Sequence, residues 1–445
     1  MAAKNFDVIV VGGGVAGLAA AASLARHGLT VALLEARDRL GGRILTARPK
    51  DWPRPVELGA EFIHAGNDAL WRVVRRHRVG TRPVPRRHWL FNRGGVKRIG
   101  DLAERLEGVT EQIDPVRMRG WSFADFLRRK RRTVSDDDAN LVAGFVEGFE
   151  AAPMNAMSAI AMAGETLDDG KQFWLPGGYD RLVAGLAREC MEAGVQIVRG
   201  AVVSRIAWRR HTVAVQTRST SYLGQTVVVT LPLGVLQARP SQRAGVAFVP
   251  RLRAKENLLA KMQVGHVCRF MFRFESVPWK RIVARALQPC EPGGFGFVHS
   301  RIEGVPVWWA LRDDGIVTAW AGGPAARLFA GRSNSEIQTR ALNSLSRILG
   351  VAVGSLRRAL LGCLCHNWSR DPFSRGAYSF VVAGCDHFAR RLRLPVQGTL
   401  FFAGEAVAEM GDTGTVHGAL ASGVRAAKEV LGGTKRRSAR RRRSR

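Results

Sequence analysis

At 445 residues, 46% of them hydrophobic, the chain is globular in composition and long enough for two or three domains with real cores. No run of about 18 uninterrupted apolar residues exists, so no membrane span is predicted. The formal net charge of +31 makes a long-range field that repels polycationic ligands.

The apolar, β-branched run Val8 to Val11 predicts a buried parallel strand. Gly12, Gly14 and Gly17 follow at G-x-G-x-x-G spacing, with Val15 and Ala16 between the last two. In that pattern the first glycine permits the turn, the second lets backbone approach a pyrophosphate, and the third lets the helix pack close to the sheet. Ala19 to Ala25 is a strong helix former whose N-terminal N–H groups would face the phosphates. Gly28 ends that helix, and Leu29 to Leu34 is a second strand closed by Glu35, where a carboxylate accepts both hydroxyls of an adenosine ribose. An acid there suits FAD or NAD and argues against a 2′-phosphate. After Ala36 and Arg37, Gly41-Gly42-Arg43 makes a second glycine-rich turn with a guanidinium, a place for the pyrophosphate of a cofactor that runs past the first βαβ unit. The apolar N-terminus therefore reads as nucleotide fold rather than signal peptide.

Gly66 to about Gly170 is helix-rich in prediction, with the apolar-periodic stretch Phe123 to Leu127. Ser135 before Asp136, Asp137 and Asp138 reads as a helix cap with acids at the positive dipole end, so no metal site is expected. Gly177-Gly178-Tyr179 opens a helix through Ala193; Val195 to Val198, Val202 to Trp208 and Thr212 to Thr217 are short strands, and Thr226 to Leu231 is a buried strand. Val264 to Phe274 begins a β-rich region with Trp279, Trp308, Trp309 and Trp320. Phe401 to Ala403 is a strand ended by Gly404-Glu405, and Thr415-Val416-His417-Gly418-Ala419 starts the last helix. The six cysteines (Cys190, Cys268, Cys290, Cys363, Cys365, Cys385) are scattered, so free thiols in a reducing, cytoplasmic compartment are expected. The tail TKRRSARRRRSR holds eight basic residues. It reads as a solvated, disordered terminus in preference to an arm for nucleic acid or an anionic surface, since no aromatics are interleaved.

E-A-R-D-R-L-G-G-R (Glu35 to Arg43), V-E-L-G-A-E-F-I-H (Val56 to His64) and Trp368 to Ser379 carry a resemblance to the flavin-containing amine oxidase family, which includes monoamine oxidases, polyamine oxidases and lysine-specific histone demethylases. The resemblance runs from about Asp7 to Val430. It implies an α/β fold: a Rossmann-like FAD-binding domain assembled from residues 1–65, 172–250 and 366–432, and an α+β substrate domain with a helical part at 66–171 and a mixed sheet at 251–365. A basic disordered tail at 433–445 follows. It also implies that Gly59, Ala60, Glu61 and Phe62 pass along the flavin ring, that a backbone pair near Val203 holds the adenine, and that Glu405 accepts from a ribityl hydroxyl. Trp368 and Tyr378 would stand against the isoalloxazine, and Thr415 and Val416 would present helix N–H groups to its N1–C2=O edge, where negative charge develops.

Three positions differ within the family. Ala377 stands where covalently flavinylated monoamine oxidases hold a cysteine, which implies noncovalent FAD. Thr415, with His417, Gly418 and Ala419 after it, replaces their second tyrosine and is similar to polyamine oxidases and lysine demethylases; His64, as a base or hydrogen-bonding group, is similar to polyamine oxidases again. Arg269 stands where the family's lysine holds a water at flavin N5; Lys261 lies off the pattern. The expected activity is hydride transfer from an amine α-carbon to flavin N5, imine hydrolysis, and reoxidation by O2 giving H2O2 or by another acceptor. An acidic mouth for a polyamine would draw on Glu61, Glu147, Glu150, Glu165, Asp168 and Asp169. The alternatives are a flavin desaturase or oxidase of an apolar C–H, as in carotenoid desaturases and protoporphyrinogen oxidases, and a weakly active flavin-bearing protein associated with nucleic acid through its tail.

Overall fold

The computed structural model describes residues 4–92, 95–163, 171–288, 293–302 and 304–443, and side chains as far as residue 433. An eight-stranded sheet carries the nucleotide fold. Its order from one edge is Gln196–Val198, Val31–Leu34, Lys4–Val11, Ser221–Val229, Thr212–Thr217, Val203–Arg209 and Ala247–Val249. The last strand of the chain in this sheet, Leu400–Phe402, pairs in parallel with the end of Ser221–Val229, so the sheet draws on three separated pieces of sequence. Val8–Val11, Val31–Leu34 and Val227–Val229 are buried throughout, as a parallel sheet covered on both faces requires. One cover is the helix Val15–Arg26, packed with Asp180–Glu192 and the last helix, Val416–Arg443, in a single core.

The second sheet has seven strands: Leu360–Asn367, Val267–Phe274, Ile316–Gly322, Val307–Ala310, Gly296–Ser300, His88–Asn92 and Gly95–Ile99. Only Gly296–Ser300 with His88–Asn92 is parallel among its pairs, which makes the sheet mixed. Along Val267–Phe274 the period-2 alternation sends Cys268, Phe270, Phe272 and Phe274 into the core under the helix Asn334–Leu349. Val267, Arg269 and Met271 take the other face, toward the first sheet's ligand side. Helices Leu102–Thr110, Phe123–Arg129 and Asp136–Gly148 form a third core. Ser135 caps the last of these by accepting from Asp138 N at 3.1 Å, as its sequence implies.

The stretch 66–171 is helix-rich, with five helices among its described residues, and it also supplies two strands of the second sheet, because the aromatic run His88–Asn92 is a good strand former flanked by arginines that hide it. Two other expectations are corrected. Trp279 sits on the helix Ser276–Ala286 rather than a strand. The last helix continues to Arg443, past residue 433 where disorder was expected. Its packed first turns supply the nucleus, and Lys and Arg propagate a helix well and suit its negative end. Among the described residues no helix is long and apolar enough to cross a membrane, and no three His, Cys, Asp or Glu cluster as a metal site. Cys190, Cys268, Cys363, Cys365 and Cys385 are free thiols; Cys290 lies outside the described residues.

Candidate active site

Two cavities share a wall of seven residues and meet there. The first begins at Ala201, Val202 and Val203, passes Glu35, Ala36 and Arg37, then Gly12, Gly14, Val15 and Ala16 opposite Gly41, Gly42 and Arg43. It ends at Gly59, Ala60, Trp368, Tyr378, Gly404, Glu405, Thr415 and Val416. This is the extended path that a dinucleotide takes over the C-terminal ends of parallel strands. Glycine chemistry explains the fit. A Cβ on Gly14 would meet no protein atom within 4 Å, so the loop opens to a ligand there. A Cβ on Gly12 would sit 2.5 Å from Thr230 Oγ1, and one on Gly17 would sit 1.9 Å from the Gly12 oxygen. Gly17 thus serves helix packing and does not line the cavity. Gly17→Ala should destabilise the fold by about 1–3 kcal/mol through overpacking, whereas Gly14→Ala should leave the apoprotein's melting temperature unchanged and weaken cofactor retention. Equal melting temperatures for the two variants would contradict this division.

Ion pairs join the two ends of the chain around this cavity. Glu35 accepts from Gly13 N at 2.7 Å and Arg37 N at 2.9 Å, so its carboxylate is aimed by the loop it serves. Arg37 donates to Asp371 Oδ1 at 2.7 Å and Ser374 Oγ at 2.9 Å, fastening the W-S-R-D-P-F-S stretch to the first segment. Arg43 Nη1 donates to Glu405 Oε1 and to the Ala377 oxygen, both at 2.7 Å. Buried Glu405 also accepts from Ser379 Oγ at 2.5 Å and Gly414 N at 3.1 Å. Thr415 is a helix cap: its hydroxyl accepts from Gly418 N at 3.0 Å and donates to the Asp412 oxygen at 2.6 Å. The N-terminus of the last helix consequently opens onto the junction of the cavities.

The second cavity, about 430 Å³, shares Gly59, Ala60, Trp320, Tyr378, Gly414, Thr415 and Val416 with the first. That volume is within the range of small-molecule sites. Glu61 and Phe62, expected along the cofactor, line only this second cavity, with His64, Phe149, Phe297 and Trp309. Arg269 is 1% exposed. Its Nη2 donates to Glu61, its Nη1 donates to the Gly59 oxygen at 2.6 Å, and Trp309 Nε1 donates to Glu61 at 3.1 Å. The guanidinium lies 5.3 Å and 5.7 Å from the Trp309 and Trp320 ring centres, a cation between two π faces. Its Nε has no partner among the described residues. Trp368 Nε1 donates to the Leu58 oxygen at 2.9 Å, and Tyr378 OH donates to the Phe149 oxygen, so both rings are locked at the junction.

The sequence pattern of flavin-containing amine oxidoreductases matches residues 15–141 and 122–431. The chain belongs to the flavin-containing amine oxidoreductase family. It is 29% identical to Polyamine oxidase 2 of Arabidopsis thaliana over 468 residues, which covers 96% of this chain and 89% of that protein. Identity to Protein FLOWERING LOCUS D of the same plant is 27%, over 98% of this chain and 56% of that protein. Identity to its Lysine-specific histone demethylase 1 homolog 2 is 28%, over 96% of this chain and 58% of that protein. The chain therefore spans little more than half the length of the latter two. Putrescine oxidase bound to putrescine has the same fold at a TM-score of 0.79 and 20% identity, covering 97% of this chain and all of that one. Cyclohexylamine oxidase from Brevibacterium oxydans has it at 0.78 and 18%, covering 97% and 99%.

Histidines mark the environment of this flavoprotein-family site. His64 faces His417 edge-on at 6.0 Å between centroids, and His417 Nε2 lies 3.2 Å from Asp412. Desolvation by the surrounding protein and the neighbouring His417 push His64 down to about 4, although its side chain is open to the cavity. It is neutral at pH 7 and too weak a base to deprotonate an alkylammonium, so hydrogen bonding is the role open to it. Burial likewise lowers His88 and His366 to about 4 and His299 to about 3. Each of these histidines favours folding above its unfolded value of about 6.5, and that advantage is lost as pH falls toward its folded value. Buried Glu57 is raised to about 7, so its contribution has the opposite sign and is lost as pH rises through that value. The balance is roughly two protons taken up on unfolding, or at most about 3 kcal/mol per pH unit below pH 6.5; His64, open to the cavity, adds less. The melting temperature should fall steeply from pH 6.5 to 4.5, and a flat profile would contradict the buried-histidine picture.

Residues that the sequence did not single out for the site are Trp309, Trp320, Phe149, Phe297 and His88. Adjacent Trp308 and Trp309 point to opposite faces of one strand, and only the fold shows that Trp309 is the one facing the site. Of the acids considered for a polyamine mouth, Glu61 is neutralised by Arg269, Glu150 lines the cavity, and Glu147 stands 3.5 Å from Arg301. Glu165, Asp168 and Asp169 lie outside the described residues.

Proposed function

We propose that the chain is an FAD-dependent amine oxidase or dehydrogenase with noncovalently held FAD. The observation that carries this reading is the junction: a dinucleotide-shaped cavity opens, past Tyr378, Trp320 and a helix N-terminus, onto an aromatic-walled cavity of substrate size. No cysteine is among the described residues lining the first cavity, and Ala377 occupies the place of the family's thioether, which supports noncovalent binding. FAD, when bound, supplies the acceptor for hydride from the carbon beside nitrogen and the route of the electrons to O2 or another acceptor. The protein's part is positional. The aromatic walls hold the apolar body of an amine and keep out bulk water. The N-terminal N–H groups of the last helix favour negative charge at the junction. Arg269 and Glu61 form a net-neutral pair, and the planar guanidinium fixes the Gly59 oxygen and the tryptophan wall beside the reacting region.

The net charge of +31 and the pairing of Glu61 with Arg269 favour a monoamine over a polyamine. Because His64 is already neutral above about pH 5, the ionisation that controls turnover is that of the substrate amine, which must lose its proton before its C–H is oxidised. The rate at low amine concentration should therefore rise with pH by close to tenfold per unit up to the amine's own pKa. A profile flat between pH 6 and 9, or one governed by a group near 6.5, would contradict the mechanism.

A further inference from the structure

Away from the junction, the second cavity is walled by His88. The ring of His88 stacks on Phe297 at 5.2 Å and 11°, and on His299 at 5.3 Å and 18°. His88 Nδ1 and His299 Nε2 are hydrogen-bonded at 3.0 Å. The strand register that sets Phe297 opposite His88 builds this stack, and Phe149 closes it edge-on against His299 at 6.1 Å. Phe297 is 5.6 Å from Trp309, which is 5.9 Å from Trp320 at the junction, so His88 stands three ring-to-ring steps from the reacting end. His88 Nε2 makes no hydrogen bond to any described residue and is not a sealed buried atom.

We propose that His88, backed by His299, is a specificity determinant that recognises an uncharged hydrogen-bonding group, a hydroxyl or an amide, at the end of the substrate remote from its amine. The substrate class is then a monoamine on an apolar, ring-sized body with a neutral polar tip. This rests on the amine reading of the site. The chemistry follows from the pair. In two neutral imidazoles sharing one hydrogen bond, reversing that bond exchanges the outer His88 nitrogen between acceptor and donor. The wall can thus answer either partner, and it stays uncharged because burial disfavours both imidazolium forms; Asp101 and Arg86, the charged pair beside His88, oppose one another. A second ammonium would meet no formal negative charge in this couple.

The test uses the FAD-loaded protein and two non-oxidisable probes, the α,α-dimethyl derivatives of phenethylamine and tyramine, whose binding is measured calorimetrically. They differ by one hydroxyl and lack the C–H to be oxidised, so affinity is read without turnover. The hydroxylated probe should bind about tenfold tighter, the worth of one hydrogen bond in an enclosed site. His88→Phe, which keeps the stack on Phe297, should abolish that preference, so that the two probes bind within about twofold of one another. His88→Gln should restore part of it. Equal affinities in the natural protein, no binding of either probe at millimolar concentration, or a preference that survives His88→Phe would overturn the proposal. The oxidisable parents test the underlying reading separately: if neither bleaches the bound flavin in the absence of air, amine oxidation fails while the affinity ratio still decides the role of His88.

Discussion

Replacing Arg269 with methionine should destabilise the protein by about 3–5 kcal/mol, because it leaves the buried Glu61 carboxylate without its countercharge. Both side chains are almost wholly buried, at 1% and 5% exposure, and the guanidinium also holds the Gly59 oxygen and the two tryptophan faces. Truncating one partner of such a pair is far worse than removing both. The double variant Arg269→Met with Glu61→Gln should therefore recover more than half of the lost stability, which a thermal or denaturant melt will show. If the double variant is no more stable than Arg269→Met, the pair is not what holds this wall. Arg269→Lys keeps the charge but loses the fork to Gly59 and Glu61. It should fold with a smaller loss and, if lysine assists O2 as the family resemblance implies, reoxidise faster in air.

Glu405→Ala should lower stability by about 2–4 kcal/mol and strip the protein of flavin. The carboxylate gathers Arg43 from the first segment and Ser379 and Gly414 from the last, so its removal leaves a half-buried cation and separates the two ends of the cofactor cavity. The loss is smaller than for Arg269 because the Arg43 side chain is 24% exposed and water can take over part of its solvation. Glu405→Gln keeps the shape but not the charge, and should retain some flavin at reduced affinity. Absorbance of the purified variants reads the cofactor content directly, and full flavin loading of Glu405→Ala would contradict the clamp.

The first sheet and its glycine loops were readable in the sequence because each step is local: an apolar run, a G-x-G-x-x-G turn, a helix former and a terminal acid within about thirty residues. The chain's return to that site was readable from Gly404-Glu405 and the cap Thr415. Other parts depend on contacts that no local pattern encodes. Glu61 and Arg269 are 208 residues apart and become one ion pair only when the two sheets pack. His88 and His299 are single histidines whose meaning lies in a parallel strand pairing. The strands at His88–Asn92 and Gly95–Ile99 sit among arginines and helices; they pair with one another, and what joins them to the sheet is the pairing of His88–Asn92 with Gly296–Ser300, some 200 residues downstream. The extension of the last helix through the basic tail follows from cooperativity: once residues from Val416 are packed, continuing the helix needs only propagation.

The most direct measurement is anaerobic. Purified, flavin-loaded protein is mixed with excess aryl-alkyl monoamine under argon while its visible absorbance is followed. A flavin held at the junction of these two cavities should bleach in a single amine-dependent phase, with one equivalent of aldehyde or ketone formed per flavin, and recover its colour when an electron acceptor is admitted. A flavin band unchanged by any of a panel of monoamines, diamines and polyamines at millimolar concentration would contradict the account.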